Sequence, residues 1–263
     1  MVEVIEQALE MIPSIITNYG AEGTTKTSFA ITFPPKVAFY NLEYGGHRAW
    51  GWKKVVDNGN LIIREVKLPY RSLTIRYDTV TGYLKAWKEF TEQFQRDCED
   101  PEIKTIVWDT GTKVWALARD ACLEEVQKTS PARKQLQQME YGLPNRWMES
   151  LFSMPMPSKT YLIITHHETD EYMPLLDPSG RPVLDEQGNP KSYTTGKKIP
   201  DGFKQTKNLS DWVLKSWIKQ DEGGIVPMCT VEKSAYGFDL VGMDLEYPGY
   251  DQLIKRLDLL GRI

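Results

Sequence analysis

The sequence predicts an α/β protein built on a mostly parallel sheet, with helices on both faces. Three observations carry this. Residues 14–19, 36–41, 105–108 and 160–164 form short apolar or β-branched runs rather than strictly alternating ones, the pattern of strands covered on both sides. Segments with helical periodicity separate them. Each run ends in a polar or glycine-bearing stretch, and ligands bind at that carboxyl edge in open parallel sheets.

Taken in order, residues 2–11 have Val2, Ile5, Ala8 and Leu9 at helical spacing and predict a short amphipathic helix ended by Pro13. The first strand follows over 14–19. A helix of about two turns is expected over 26–33, stopped by Pro34 and Pro35. Strand 36–41 leads to a turn-rich excursion over 46–59 and another strand over 61–68. Residues 80–95, with Tyr83, Leu84, Trp87, Phe90 and Phe94 in register, predict the strongest helix. Strand 105–108 ends at Asp109, and helices are expected over 114–126 and 145–152. Strand 160–164 ends at Thr165-His166-His167.

Residues 168–207 read as a long polar insertion with two turn signals and a small hairpin around Val183 and Leu184. Residues 208–219 are amphipathic, with Leu209, Trp212, Val213 and Trp217 facing inward. Runs 225–233 and 238–243 predict a C-terminal antiparallel strand pair, and 250–260 a closing helix. One domain with a long inserted loop accounts for the whole chain.

Charge and composition exclude several classes. A net charge of −4 leaves no global attraction for polyanions, so any nucleic-acid surface is local. The three cysteines lack metal spacing and read as reduced thiols of a cytoplasmic protein. Three histidines argue against a His-rich metal site. No apolar run reaches the ~18 residues that a membrane span needs, and no signal-peptide pattern is present.

The chemistry is concentrated in the segment SIITNYGAEGTTKTS, residues 14–28. Gly20, Lys26 and Thr27 fall on the P-loop pattern G-x-x-x-x-G-K-[ST], with Gly23 as a further glycine. Backbone N–H groups from Gly20 through Ala21, Glu22, Gly23, Thr24 and Thr25 to Ser28 would cradle phosphate oxygens at a helix N-terminus. Lys26 would reach the outer phosphates, and the Thr27 hydroxyl would sit on Mg2+. Thr25 replaces the glycine before the lysine, where a β-branched residue restricts the turn and crowds the phosphate. Asp109, at the end of an apolar strand, is the expected carboxylate on the metal side; its plainer reading is an N-cap for the next helix. Glu43 stands just past the second strand and is the candidate base for water. His166, rather than His167, is the expected reader of the terminal phosphate.

In this order, P-loop, VAFYNLEYG, TIVWDT and LIITHH, the sequence resembles the RecA/RadA core. It is most similar to the short RecA-like ATPases that bacteriophages use in single-strand annealing and recombination. The resemblance runs from about residue 14 to the C-terminus and includes EYG at 140–142, GKKIPDGF at 196–203 and VEKSAYGFDL at 231–240. It implies a RecA-like fold, ATP with Mg2+ as cofactors, and catalysis by Lys26, Glu43, Asp109 and His166. It also implies self-association into a ring or filament in the cytoplasm of a bacterial host, beside phage replication or recombination proteins.

In such proteins, loops after the Asp strand and after the sensor strand line the DNA channel. Here that selects Arg133 and Lys134, then Lys191, Tyr193, Lys197, Lys198, Phe203 and Lys204, as contacts to single-stranded DNA, with Tyr193 and Phe203 as stacking groups. Lys233 would approach a neighbour's nucleotide. Two other functions fit the same residues. One is a nucleotide-binding switch or scaffold with slow hydrolysis and a protein partner. The other is a defence ATPase with no DNA role.

Overall fold

The computed structural model describes residues 14–69, 79–188 and 190–259; the expected helix at 2–11 lies outside them. Strands β1 (Ile15–Tyr19), β2 (Val37–Asn41), β3 (Leu61–Glu65), β4 (Thr105–Asp109) and β5 (Tyr161–His166) carry the parallel half of an eight-stranded sheet. Its order is β10-β9-β8-β1-β5-β4-β2-β3. Strand β8 (Trp212–Asp221) joins β1 in parallel, whereas β9 (Gly224–Ser234) and β10 (Asp244–Glu246) complete that end antiparallel. The architecture is the expected α/β one: a mostly parallel sheet covered on both faces, with an antiparallel pair toward the C-terminus.

The strands alternate between two cores. Ala38, Tyr40, Ile106, Trp108, Leu162 and Ile164 face helices α3 (Tyr83–Glu99), α4 (Gly111–Thr129) and α5 (Gly142–Ser153), where Trp87, Phe90, Phe94, Leu117 and Phe152 meet them. Val37, Phe39, Val107, Ile163 and Leu214 face the other way, toward Phe29 and Ala30 of α1 (Lys26–Ala30) and Leu253 and Leu257 of α7 (Tyr250–Leu259). Each buried Val, Leu, Ile or Phe side chain among these contributes about 1.5–3 kcal/mol.

Several expectations shift. Helix α1 is shorter than two turns, although Phe33 beyond it stays buried against Phe29 and Tyr161. The excursion at 46–59 contains a 3-10 turn (Gly46–Arg48) and α2 (Trp52–Asp57), with the Trp52 ring edge-on to Phe39. Residues 208–219 are not an element with one apolar face: a four-residue helix α6 (Thr206–Leu209) gives way to β8, where Trp212, Val213 and Leu214 are all fully buried. A strand inside the sheet is covered on both sides, so its apolar run is continuous. The antiparallel strand partners of β9 are β8 and β10; of 238–243 only Gly242 and Met243 bond to β9, through Val231, and Phe238–Leu240 is a 3-10 turn whose Phe238 is almost wholly exposed.

The described residues of the polar insertion take regular structure. It is a two-stranded antiparallel ribbon of β6 (Glu168–Pro174) and β7 (Ser192–Pro200), with bridges Leu176–Pro182 and Leu184–Pro190 near its tip. Among the described residues, no helix is long and apolar enough to cross a membrane.

Candidate functional site

Register brings the candidate residues to one edge of the sheet. Tyr19 pairs with His166, Asp109 with Thr165, and Asn41 with Asp109. The P-loop, Asp109 and Glu43 therefore open onto one cleft of about 530 Å³, lined by residues 22–28 with Glu43, Arg48, Trp50, Asp109, Thr110 and His167.

The loop turns sharply at Gly20, where a Cβ would lie 2.2 Å from the Ser216 carbonyl oxygen of neighbouring β8; only glycine fits. Thr25 takes the left-handed conformation, φ 63° and ψ 19°, directly before α1. That explains why a glycine is usual there and shows that the threonine accepts the same turn under strain. Lys26 is buried, and its Nζ donates to Gly20 O (2.8 Å), Ala21 O (2.5 Å) and Thr24 Oγ1 (3.3 Å). Burial holds the Lys26 ammonium below its ordinary range, against the pull of Asp109, Glu168, Glu43 and Glu22.

Thr27 Oγ1 donates to Asp109 Oδ1 and Oδ2 at 3.2 and 3.3 Å, and Thr165 Oγ1 to Oδ1 at 2.6 Å. Burial pushes the Asp109 carboxyl up, Glu43 adds to this, and the two threonines and Lys26 oppose it. A hydroxyl and a carboxylate held together suit a hard, oxygen-seeking cation, whose charge would relieve the buried carboxylate. The N-cap of α4 falls instead to Thr110, whose side chain accepts from Lys113 N. Glu43 accepts from His167 Nε2 at 2.8 and 3.1 Å and from Thr110 Oγ1 at 3.2 Å.

The two histidines exchange the places expected of them. His166 is buried outside the cleft, its Nδ1 2.8 Å from Asp201 O, and burial pushes its pKa down to about 4. A side chain on Gly111 would strike that ring, so the glycine gives it room. His167 is the one that lines the cleft. Strand period two supplies the reason. Ile164 and His166 lie together against Gly111 of α4, while Ile163 faces the core on the α1 side and His167, next in that alternation, lines the cleft with Asp109 and Glu43. The same alternation, applied to LIITHH, would have selected His167.

Arg48 and Trp50 also went unread in the sequence, hidden in the turn-rich excursion. Trp50 is 83% exposed, and its backbone N–H is held by Ser28 Oγ at 2.9 Å. It stands between the cleft and a side cavity of about 650 Å³ lined by Phe29, Tyr247 and Tyr250.

Other expected contacts disperse. Phe203 is not available for stacking on a base: it is 3% exposed, packed against Trp115 and Phe152. Arg133 is bridged to Glu140 at 2.5 Å and Lys198 to Asp170 at 2.9 Å. The Lys233 ammonium donates to Lys207 O, Asn208 O and Ser210 O within 2.9 Å, closing the end of α6 rather than reaching outward. Lys134, Lys191, Tyr193, Lys197 and Lys204 are exposed.

A glycine-bearing loop between a buried strand and a helix, with its lysine and threonine facing a strand-end aspartate, defines a P-loop nucleoside triphosphatase. Residues 13–175, more than half of the chain, match the AAA domain family. The chain belongs to that family and is a nucleotide-binding P-loop ATPase. Among solved structures, a KaiC-like protein of the hyperthermophilic archaeon Pyrococcus horikoshii is similar over 90% of each chain, at 11% identity and a TM-score of 0.44. No curated protein matches the chain.

Proposed function

We propose that the protein hydrolyses ATP in this cleft and uses the cycle to act on single-stranded DNA through the β6–β7 ribbon. Loop N–H groups and Lys26 would hold the phosphates, and Thr27 and Asp109 the Mg2+, which when bound supplies charge neutralisation. Glu43 would take the proton of the attacking water. The base would rest in the side cavity against Trp50. Self-association, in the cytoplasm of a bacterial host, belongs to the same reading.

The observation that carries the coupling is how the ribbon is rooted. Asp201, at its end, donates its N–H to His167 O at 2.8 Å, and its own carbonyl accepts from Thr112 Oγ1 at 2.9 Å. Tyr19, the residue before the P-loop, donates to Lys198 O at 3.0 Å. Both ends of the ribbon are thus tied to residues adjoining the site. Its outer part exposes Tyr172, Tyr193, Lys191 and Lys197, the mix that suits a single strand.

A second reading, a nucleotide switch with a protein partner, is favoured by the apolar tip, where Leu175, Leu176 and Leu184 are exposed. ATP turnover with and without single-stranded DNA separates the two. Stimulation together with binding that weakens steeply with salt supports the DNA reading; neither effect leaves the switch. Lys26→Ala should remove nucleotide binding, and unchanged affinity would remove the ATP reading itself.

A further inference from the structure

We infer that His167 is a positioning residue for Glu43, holding its carboxylate so that one oxygen, Oε2, is left as the proton acceptor. The inference rests on the reading that Glu43 is the base. His167 Nε2 lies 2.8 Å from Oε1 and 3.1 Å from Oε2 of Glu43. An ionised carboxylate only accepts, so the ring nitrogen is the donor and the Nε2–H form is selected. Thr110 Oγ1 adds a second donor to Oε1 at 3.2 Å. Oε1 then carries two donors, and Oε2 only the longer contact. The lone pairs of Oε1 are thus the more fully engaged, which leaves Oε2 as the oxygen open to the water's proton.

Glu43 needs such a hold. It lies past the end of β2, beside Tyr44 in a left-handed turn with φ 56°, and the glutamate stem has three rotatable bonds. Without a fixed partner the carboxylate would sample orientations that present no lone pair to the water. His167 is itself fixed, because its carbonyl receives the Asp201 N–H at the root of the ribbon. In the chemical step the water oxygen bonds to the terminal phosphorus as the bond to the leaving diphosphate oxygen breaks. The water's proton passes to Oε2, and His167 keeps its Nε2 proton throughout.

Steady-state ATP turnover of the full chain tests this with His167→Ala, His167→Gln, Glu43→Gln and the double variant His167→Ala/Glu43→Gln. His167→Ala should lower kcat roughly 10- to 100-fold, the scale of a small misplacement of a catalytic group, with KM for ATP unchanged. His167→Gln, whose amide N–H can reach the same oxygen, should recover most of that loss. In the double variant the histidine change should cost nothing further, because the group it orients is gone. A raised KM with kcat intact, no recovery by glutamine, or an undiminished loss in the double variant overturns the inference. Wild-type turnover in His167→Ala beside an inactive Glu43→Gln overturns it alone. Wild-type turnover in Glu43→Gln removes the base assignment, and the inference with it.

Discussion

The cleft and the β6–β7 ribbon leave the same edge of the same sheet and are built on opposite rules. In the cleft, polar groups are spent on one another: Lys26 on loop carbonyls, Thr27 and Thr165 on Asp109, His167 and Thr110 on Glu43. On the ribbon, Tyr172, Tyr193, Lys191 and Lys197 face solvent. Preorganised charge is worth most where water is excluded and nothing must move during the reaction. A surface that must admit a partner gains from side chains still open to it. On the proposed reading, chemistry and recognition are separated along one segment, with residues 166–168 as the junction.

Phe203 and Tyr193 give the largest test, since both are aromatics of the same insertion. Phe203 lies on the buried side of the boundary, its ring 5.4 Å from Trp115 and 6.1 Å from Phe152. Phe203→Ala should cost about 3–5 kcal/mol in urea unfolding. A loss under about 1 kcal/mol would erase the boundary between scaffold and ribbon.

Asp109 tests the cleft side. Its carboxyl is raised by burial, so its folded pKa exceeds the unfolded one. The stabilisation from this group is then complete below the unfolded pKa and is lost as pH rises through the folded pKa. Without Mg2+ and nucleotide, thermal stability should decline as pH rises above the ordinary carboxylate range. Asp109→Asn should remove that part of the decline and abolish the Mg2+ dependence of nucleotide binding. An unchanged pH slope in the asparagine variant would show that Asp109 is not the strained group.

The same division governs what was legible in the sequence. Strands β1, β2, β4 and β5 were readable because strands covered on both faces must be apolar throughout, and the P-loop because its spacing has one geometric purpose. Glu43 and Asp109 followed from their places at strand ends. His167 was missed although strand alternation contained the answer; two adjacent histidines differ only in which face they take. Strand β8 misled because Leu209, Trp212, Val213 and Trp217 repeat at helical spacing while Val213 and Leu214 are packed from opposite sides of a strand. Phe203 and Lys233 misled for a different reason. Their types suit nucleic acid or nucleotide, and only tertiary packing reveals that one is core and the other closes a helix end.

A smaller effect comes from Thr25, which joins strain to the cleft. A β-branched residue at φ 63° gives up roughly 1–2 kcal/mol relative to its preferred conformations. Thr25→Gly should recover about 1 kcal/mol in thermal unfolding, part of the gain being lost to the greater freedom of glycine in the unfolded chain. If stability rises and turnover does not, the threonine is a tolerated substitution; if turnover rises as well, it also restrains the loop. A drop in stability would show that the Thr25 Oγ1 bond to Thr24 O, at 2.7 Å, outweighs the strain.

Tyr193 supplies the smallest effect on stability and the sharpest contrast with Phe203. It is half exposed, and its cross-strand neighbour Met173 is equally open. Tyr193→Ala should therefore change unfolding free energy by less than about 0.5 kcal/mol. If the ribbon stacks bases, the same substitution should weaken single-stranded DNA binding by about 1–3 kcal/mol while leaving its salt dependence unchanged, because no phosphate contact is lost. Lys197→Ala should do the converse, reducing the slope of affinity against salt by about one contact. A ribbon that fails both measurements, yet loses a protein partner when Leu176 or Leu184 is replaced by a charge, would keep the division between cleft and ribbon and change only what the ribbon holds.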